Sequence, residues 1–307
     1  MRSTAGAVLV LLGLCACLSA QESAIQIPLL DRSAKAAASG EAGAFLSGLD
    51  ALGVNPAGLA DAKREWNATY RAMPLDTSVN GMAIGVPIAS IRTTLAVSYT
   101  ALRSAGLERR DENGALQGEF RHEDQMAGLH AAAPFQWGPV AIDGGVSVKS
   151  IQSRIDRYSG SGLAVDAGLR HKFDGVPLTV AAAALNVGQG PQLLNERSAL
   201  PTSYGLSAAY SPLPSVSLFG GGSYQPGTNV FNASVGGEVR VAHILALRGN
   251  YAGGTGAEGR AGLGQLVGGI GVYLGAFRLD YAFQPAGQDL AEAGAPATQH
   301  ATLDWEF

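Results

Sequence analysis

From Arg64 to its end the chain is a succession of short segments in which apolar and polar side chains alternate. Successive side chains of a strand point to opposite faces, so this pattern predicts β-strands with one oily and one wet face. About fourteen such segments occur, at 64–72, 78–87, 91–101, 119–134, 139–152, 162–173, 176–187, 202–211, 215–225, 229–241, 243–252, 260–274, 275–285 and 297–307. Most run for about ten to thirteen residues, enough for a tilted strand to cross a bilayer. No later apolar run reaches the roughly 18 residues a membrane helix needs.

The faces are plainest in five segments. Phe277, Leu279, Tyr281 and Phe283 oppose Arg278 and Asp280; Phe231, Ala233, Val235, Val239 and Val241 oppose Asn232, Ser234, Glu238 and Arg240. Leu245, Leu247 and Tyr251 oppose Arg248 and Asn250; Leu163, Val165 and Leu169 oppose Asp166, Arg170 and Lys172; Trp66, Ala68 and Tyr70 oppose Glu65, Asn67, Thr69 and Arg71. Segments 119–134 and 260–274 alternate poorly. Period alone leaves two architectures open. A soluble sandwich buries the apolar face; a membrane barrel turns it to lipid and encloses the polar face.

The connections favour the barrel. Those at 88–90, 135–138, 174–175, 212–214, 242 and 274–275 are short, whereas 102–118, 188–201 and 286–296 are long, with 153–161 and 253–259 between; 73–77 and 226–228 break the trend mildly. Long-short alternation predicts an up-and-down meander with one decorated and one bare end, as in outer-membrane barrels. The chain closes on Leu303, Trp305 and Phe307, all of one parity. This looks like the last strand of a bacterial outer-membrane barrel, which implies that barrel-assembly machinery reads it.

The first residues read as a secretory signal: Arg2, an apolar core at 7–14, and Leu18-Ser19-Ala20 before Gln21. A rival cut is Leu14-Cys15-Ala16-Cys17, which loosely resembles a lipoprotein box. Both cysteines lie here, so cleavage after Ala20 leaves a chain without thiol chemistry. The expected organisation is therefore 1–20 signal, 21–62 amino-terminal segment and 63–307 barrel. Within the second part, 34–38 and 44–52 show helical spacing, and Asn55-Pro56-Ala57-Gly58 reads as a turn that ends the helical run.

Four blocks resemble the PorV/PorQ (UPF0164) outer-membrane proteins, which look like FadL-type fatty-acid channels. They are Ala42-Gly43-Ala44-Phe45 leading to Asn55-Pro56-Ala57-Gly58-Leu59-Ala60; Ala184-Leu185-Asn186-Val187-Gly188 with Leu200-Pro201-Thr202; Leu245-Ala246-Leu247-Arg248-Gly249-Asn250-Tyr251; and Phe277 to Phe283 with His300 to Phe307. Leu52-Gly53-Val54 departs from the family's paired tyrosines. The resemblance implies an all-β, transmembrane antiparallel barrel of about 14 strands, with the amino-terminal segment as a lumenal hatch. It implies a hydrophobic ligand such as a long-chain fatty acid for FadL-type members, or a secreted cargo for the PorV branch. The expected surroundings are outer-membrane lipid.

Other chemistries find little support. A net charge of −4 gives no reason to expect nucleic acid. His122, His130, His171, His243 and His300 are scattered, and no Ser/His/Asp set follows from spacing, so neither a metal, a cofactor nor a catalytic role is expected. Glycine-rich stretches fall within strands and open no helix, unlike a phosphate loop. Asn55, Pro56, Ala57 and Gly58 are the candidate hatch turn. Arg248, Glu238, Arg240, Arg278 and Asp280 are candidate lumen-facing residues, either tuning permeation or stiffening the wall through salt bridges.

Overall fold

The computed structural model describes residues 25–30, 33–255, 264–286 and 296–307. Residues 1–24, which include the expected signal with Cys15, Cys17 and the expected cut before Gln21, lie outside the described residues. The strands are β1 (Glu65–Met73), β2 (Thr77–Ile88), β3 (Thr93–Arg110), β4 (Leu116–Trp137), β5 (Val140–Ile155), β6 (Tyr158–Lys172), β7 (Leu178–Gln189), β8 (Gln192–Leu193), β9 (Glu196–Arg197), β10 (Ser203–Leu213), β11 (Val216–Gln225), β12 (Val230–Val241), β13 (Leu245–Gly254), β14 (Gln265–Leu274), β15 (Phe277–Gln284) and β16 (Thr298–Glu306). All but β8 and β9 join one closed antiparallel barrel of fourteen strands, and β8 and β9 form a small hairpin of their own. The seam pairs Trp66 with Trp305 and Arg71 with His300, so no sheet edge is left open between first and last strands.

The direction of the faces removes the sandwich. Phe277, Leu279, Tyr281 and Phe283 are 38–50% exposed on the outside, while Asp280 and Ala282 between them are 0% exposed. The same inversion holds for Leu247 against Arg248 and for Val165 against Asp166. Water would not leave a continuous apolar belt outside and charges inside; lipid does. No helix among the described residues is long and apolar enough to cross a membrane, so the crossing is made by strands.

Two expectations are corrected. The stretch 44–52 is a run of turns ending in a short 3-10 helix (Gly48–Ala51), and Asn55 starts a second 3-10 helix (Pro56–Asp61) rather than ending a helical run. Gly48 has φ +66°, a bend that an α-helix cannot absorb, and it lies against Glu65 of the wall. Tertiary contact overrides the helical spacing of Leu46, Leu49 and Leu52. The stretches expected as loops at 102–118 and 153–161 are largely strand. β3 and β4 extend past their neighbours to a turn at 111–115, where Asp111 accepts from the backbone of Asn113 and Ala115, and β5 and β6 meet at Asp156-Arg157. A two-stranded ribbon with water on both faces needs no apolar alternation, so its polarity reads as loop.

The core lies inside the barrel. Residues 25–30 and 33–62 occupy the lumen and include two single-turn helices, α1 (Ile27–Leu30) and α2 (Ala34–Ala37), and the two 3-10 turns. Outside a sheet, their backbone donors need partners. Inward hydroxyls of the wall supply them: Ala34 N–H donates to Thr302 (2.8 Å), Glu41 to Ser234 (2.8 Å) and Ala44 to Ser207 (2.9 Å). Inward glycines make the room. A Cβ on Gly145 would overlap the Pro56–Ala57 backbone, and one on Gly221 would overlap the carbonyl of Glu41.

Candidate functional site

The lumen divides into an apolar side and an ionic side. On the apolar side, Val79 of β2, Leu102 of β3, Met126 of β4, Ile151 of β5 and Ala164 of β6 face inward as one patch, with Leu200 from the β9–β10 connection. Ile25 and Ile27, 1% and 0% exposed, and Leu30 cover it. A smaller cluster below it joins Leu49, Leu52 and Leu59 to Ala83, Ala96 and Ala132 of the wall. The space that remains is small. A cavity of about 30 Å³ lies between Leu30, Ser33, Leu49 and Leu52 and the inner face of β1 to β3. That is room for about two waters and no organic ligand.

Beside the patch, on the side nearer the short β4–β5 and β6–β7 turns, the wall bulges. Asn186 of β7 has φ 56°, and the β6–β7 register shifts beside it. Its backbone N–H donates to Asp166 (2.7 Å), its side-chain oxygen accepts from Lys149 (2.8 Å), and its carbonyl accepts from the Thr202 hydroxyl (2.8 Å). Lys149 and Asp166 form a buried ion pair at 2.7 Å. The 188–201 loop is thus anchored at its far end, and its β8 backbone packs over Gly160 of β6.

The ionic side gathers all five charged residues expected to face the lumen. Arg248 lies between Glu238 and Asp280, each at most 1% exposed at the side chain, and Arg240 reaches Glu238 at 2.8 Å from a more open position. Arg278 bridges Asp280 (2.7 Å), Asp304 (2.8 Å) and Asp50 of the lumenal segment. Asp50 also accepts from Ser33 (2.6 Å) and lies 3.7 Å from Lys35. The network therefore joins wall to segment as well as strand to strand.

Burial pushes the Asp50 carboxyl up, but Arg278, Lys35 and the Ser33 hydroxyl outweigh it and hold it down at about 2, against an ordinary 3.8. A folded value below the unfolded one means stability that is full above the unfolded value and lost as pH falls through the folded one. Asp50→Asn is expected to cost about 2 kcal/mol at neutral pH. The gap from the unsubstituted protein should close as pH drops from 3.8 towards 2, which urea midpoints across that window would show.

The candidate hatch turn sits against a different part of the wall. Asn55 is 1% exposed; its amide donates to the carbonyls of Leu169 in β6 (3.2 Å) and Ala182 in β7 (3.3 Å), and its oxygen accepts from Ala57 N–H (2.9 Å). Pro56 and Ala57 abut Gly145, and Gly58 abuts Ala51 and the carbonyl of Leu46. Asp61 then pairs with Arg170 (2.7 Å) and Lys172 (2.6 Å) before β1 begins. Leu303, Trp305 and Phe307 lie outside the barrel, where Trp305 stacks on Phe277 and neighbours Phe307. Among the described residues, no group of three His, Cys, Asp or Glu side chains is placed to hold a metal.

The apolar patch and the Lys149–Asp166–Asn186 knot were not foreseen as functional features. A signal existed for the patch. Met126 and Ile151 each share parity with the wet residues of their strand, and Met126 is one reason that 119–134 alternates poorly.

No family model and no curated protein sequence matches the chain. Solved structures do. The toluene transporter TbuX of Ralstonia pickettii aligns over 82% of this chain and 92% of its own, with TM-score 0.57 and 12% identity. A TodX monoaromatic hydrocarbon channel mutant aligns over 90% and 99%, with TM-score 0.61 and 12% identity. A Pseudomonas aeruginosa FadL homologue aligns over 90% and 98%, with TM-score 0.57 and 12% identity. At such identity the likeness is one of fold: this chain has the barrel architecture of these channels.

Proposed function

We propose that this protein is an outer-membrane channel that admits small hydrophobic molecules and is held closed by residues 25–62. The observation that carries the reading is the inward apolar patch of Val79, Leu102, Met126 and Ile151, covered by Ile25 and Ile27. A wall residue facing an aqueous lumen gains nothing from being apolar. The patch makes sense as a surface that is always covered, by the segment at rest and by an apolar ligand when the segment moves aside. A ligand burying about 200 Å² of apolar surface there gains roughly 5 kcal/mol by transfer from water, before the costs of ordering and of displacing the segment. The proteins of like fold that are named for toluene, monoaromatic hydrocarbons and FadL support this class of cargo. Long-chain fatty acids remain within it. In this reading Asn55 to Gly58 form the turn on which the segment pivots, and the strand bearing Leu303, Trp305 and Phe307 is what barrel-assembly machinery reads.

Cells lacking the gene, with and without a plasmid copy, should differ several-fold in uptake of labelled toluene or oleate. Equal uptake of both overturns the channel. The finer placement in the PorV/PorQ group rests on the four sequence blocks, and co-purification of a secreted cargo would be the result that favours that branch.

A further inference from the structure

Two consecutive rungs of the inner wall set a polar pair beside the apolar patch. Asp124 of β4 lies opposite Ser153 of β5, and the next rung places Met126 opposite Ile151. Leu102 of β3 flanks Asp124 on its other side. Asp124 is 0% and Ser153 1% exposed. One carboxylate oxygen of Asp124 lies 2.9 Å from His122 Nε2. The other oxygen and the Ser153 hydroxyl are buried with no hydrogen-bond partner among the described residues. Buried polar atoms are nearly always paired, and an acceptor left empty is costly. The strands are held by backbone bonds, and the His122 contact uses only the first Asp124 oxygen, so neither the second oxygen nor the Ser153 hydroxyl serves the barrel. What both lack is a partner that arrives from the lumen.

We infer that this pair gives the chamber a polar terminus that selects apolar molecules carrying one hydrogen-bond donor, a hydroxyl or an amine. The apolar body would lie on Met126, Ile151 and Leu102, where Ile25 and Ile27 now lie, and the donor would reach Asp124 Oδ2 with Ser153 beside it. A carboxylate head would meet the Asp124 charge and is disfavoured at this end. The inference rests on the channel reading and narrows its cargo.

Binding of toluene, benzyl alcohol and benzylamine, which share one ring, to the full-length protein in detergent tests it by calorimetry. Asp124→Ala should weaken benzyl alcohol and benzylamine about tenfold, and Ser153→Ala about threefold, with toluene held within about twofold. A loss shared by alcohol and amine assigns the hydrogen bond; a loss larger for the amine adds the charge of Asp124. Unchanged alcohol and amine affinities in both variants mean that water fills the site, and equal losses for all three probes mean a structural role; either overturns the donor site while toluene binding keeps the channel. Failure of all three probes to bind the unsubstituted protein overturns the channel and the site with it.

Discussion

Valine at Gly145 or Gly221 is expected to open the barrel while leaving its wall folded. Both glycines face inward from the middle of a wall strand, and both touch the backbone of the lumenal segment rather than a flexible side chain. A Cβ at Gly145 would overlap the peptide between Pro56 and Ala57; one at Gly221 would overlap the Glu41 carbonyl and crowd Ser207. Backbone cannot swing aside as a side chain can, so the segment must leave its seat. The strand itself tolerates the change, since valine suits extended backbone better than glycine does. A fourteen-strand barrel is too wide for its own side chains to fill, so an emptied lumen conducts. Ion conductance in planar bilayers should rise roughly tenfold or more over the unsubstituted protein. Gly268→Val is the control: it stands in β14, and a Cβ there meets nothing within 4 Å. Heat-modifiable migration on gels would confirm that each barrel is folded. If both inward variants stay as closed as the control, residues 25–62 are not the stopper.

How much of this was legible in the sequence depends on which solvent each residue faces. Lipid imposes one demand on every outward position, so Phe277, Leu279, Tyr281 and Phe283 announce their face by period alone, and fourteen strands could be counted before any was seen. The lumen imposes no single demand. Its wall meets ions at Arg248, a backbone at Gly221 and isoleucines at Met126. Parity therefore tells that Met126 points inward but not what it meets there. The lumenal segment was harder still. It folds against the wall through hydroxyls and glycines spread over β5 to β16, so Leu46, Leu49 and Leu52 could be read as one helical face and yet form none. The buried Asn186 knot escaped for a related reason: Asn186 and Thr202 are neighbours only because β7 bulges and the loop folds back.

The ion network beneath the segment yields the other large effect. Arg248→Met should destabilise the barrel by about 3 kcal/mol, the low end of what breaking a buried pair costs. The reason is the carboxylates left behind. Glu238 and Asp280 are 1% and 0% exposed at the side chain, and both lose a guanidinium. They are not wholly abandoned, since Arg240 still reaches Glu238 and Arg278 still reaches Asp280, which argues for the low end. Replacing the whole group, as Arg248→Met with Glu238→Gln and Asp280→Asn, should recover most of the loss, because no buried charge then stands alone. Urea midpoints in detergent would compare the three proteins. The functional readout should move differently. The network lies on β12 to β16, whereas the apolar patch is built by β2 to β6, so hydrophobic uptake per folded molecule should stay within about twofold in the triple variant, whose wall and lumenal segment keep their other contacts. A fall in uptake without a fall in stability would instead make these charges part of the passage.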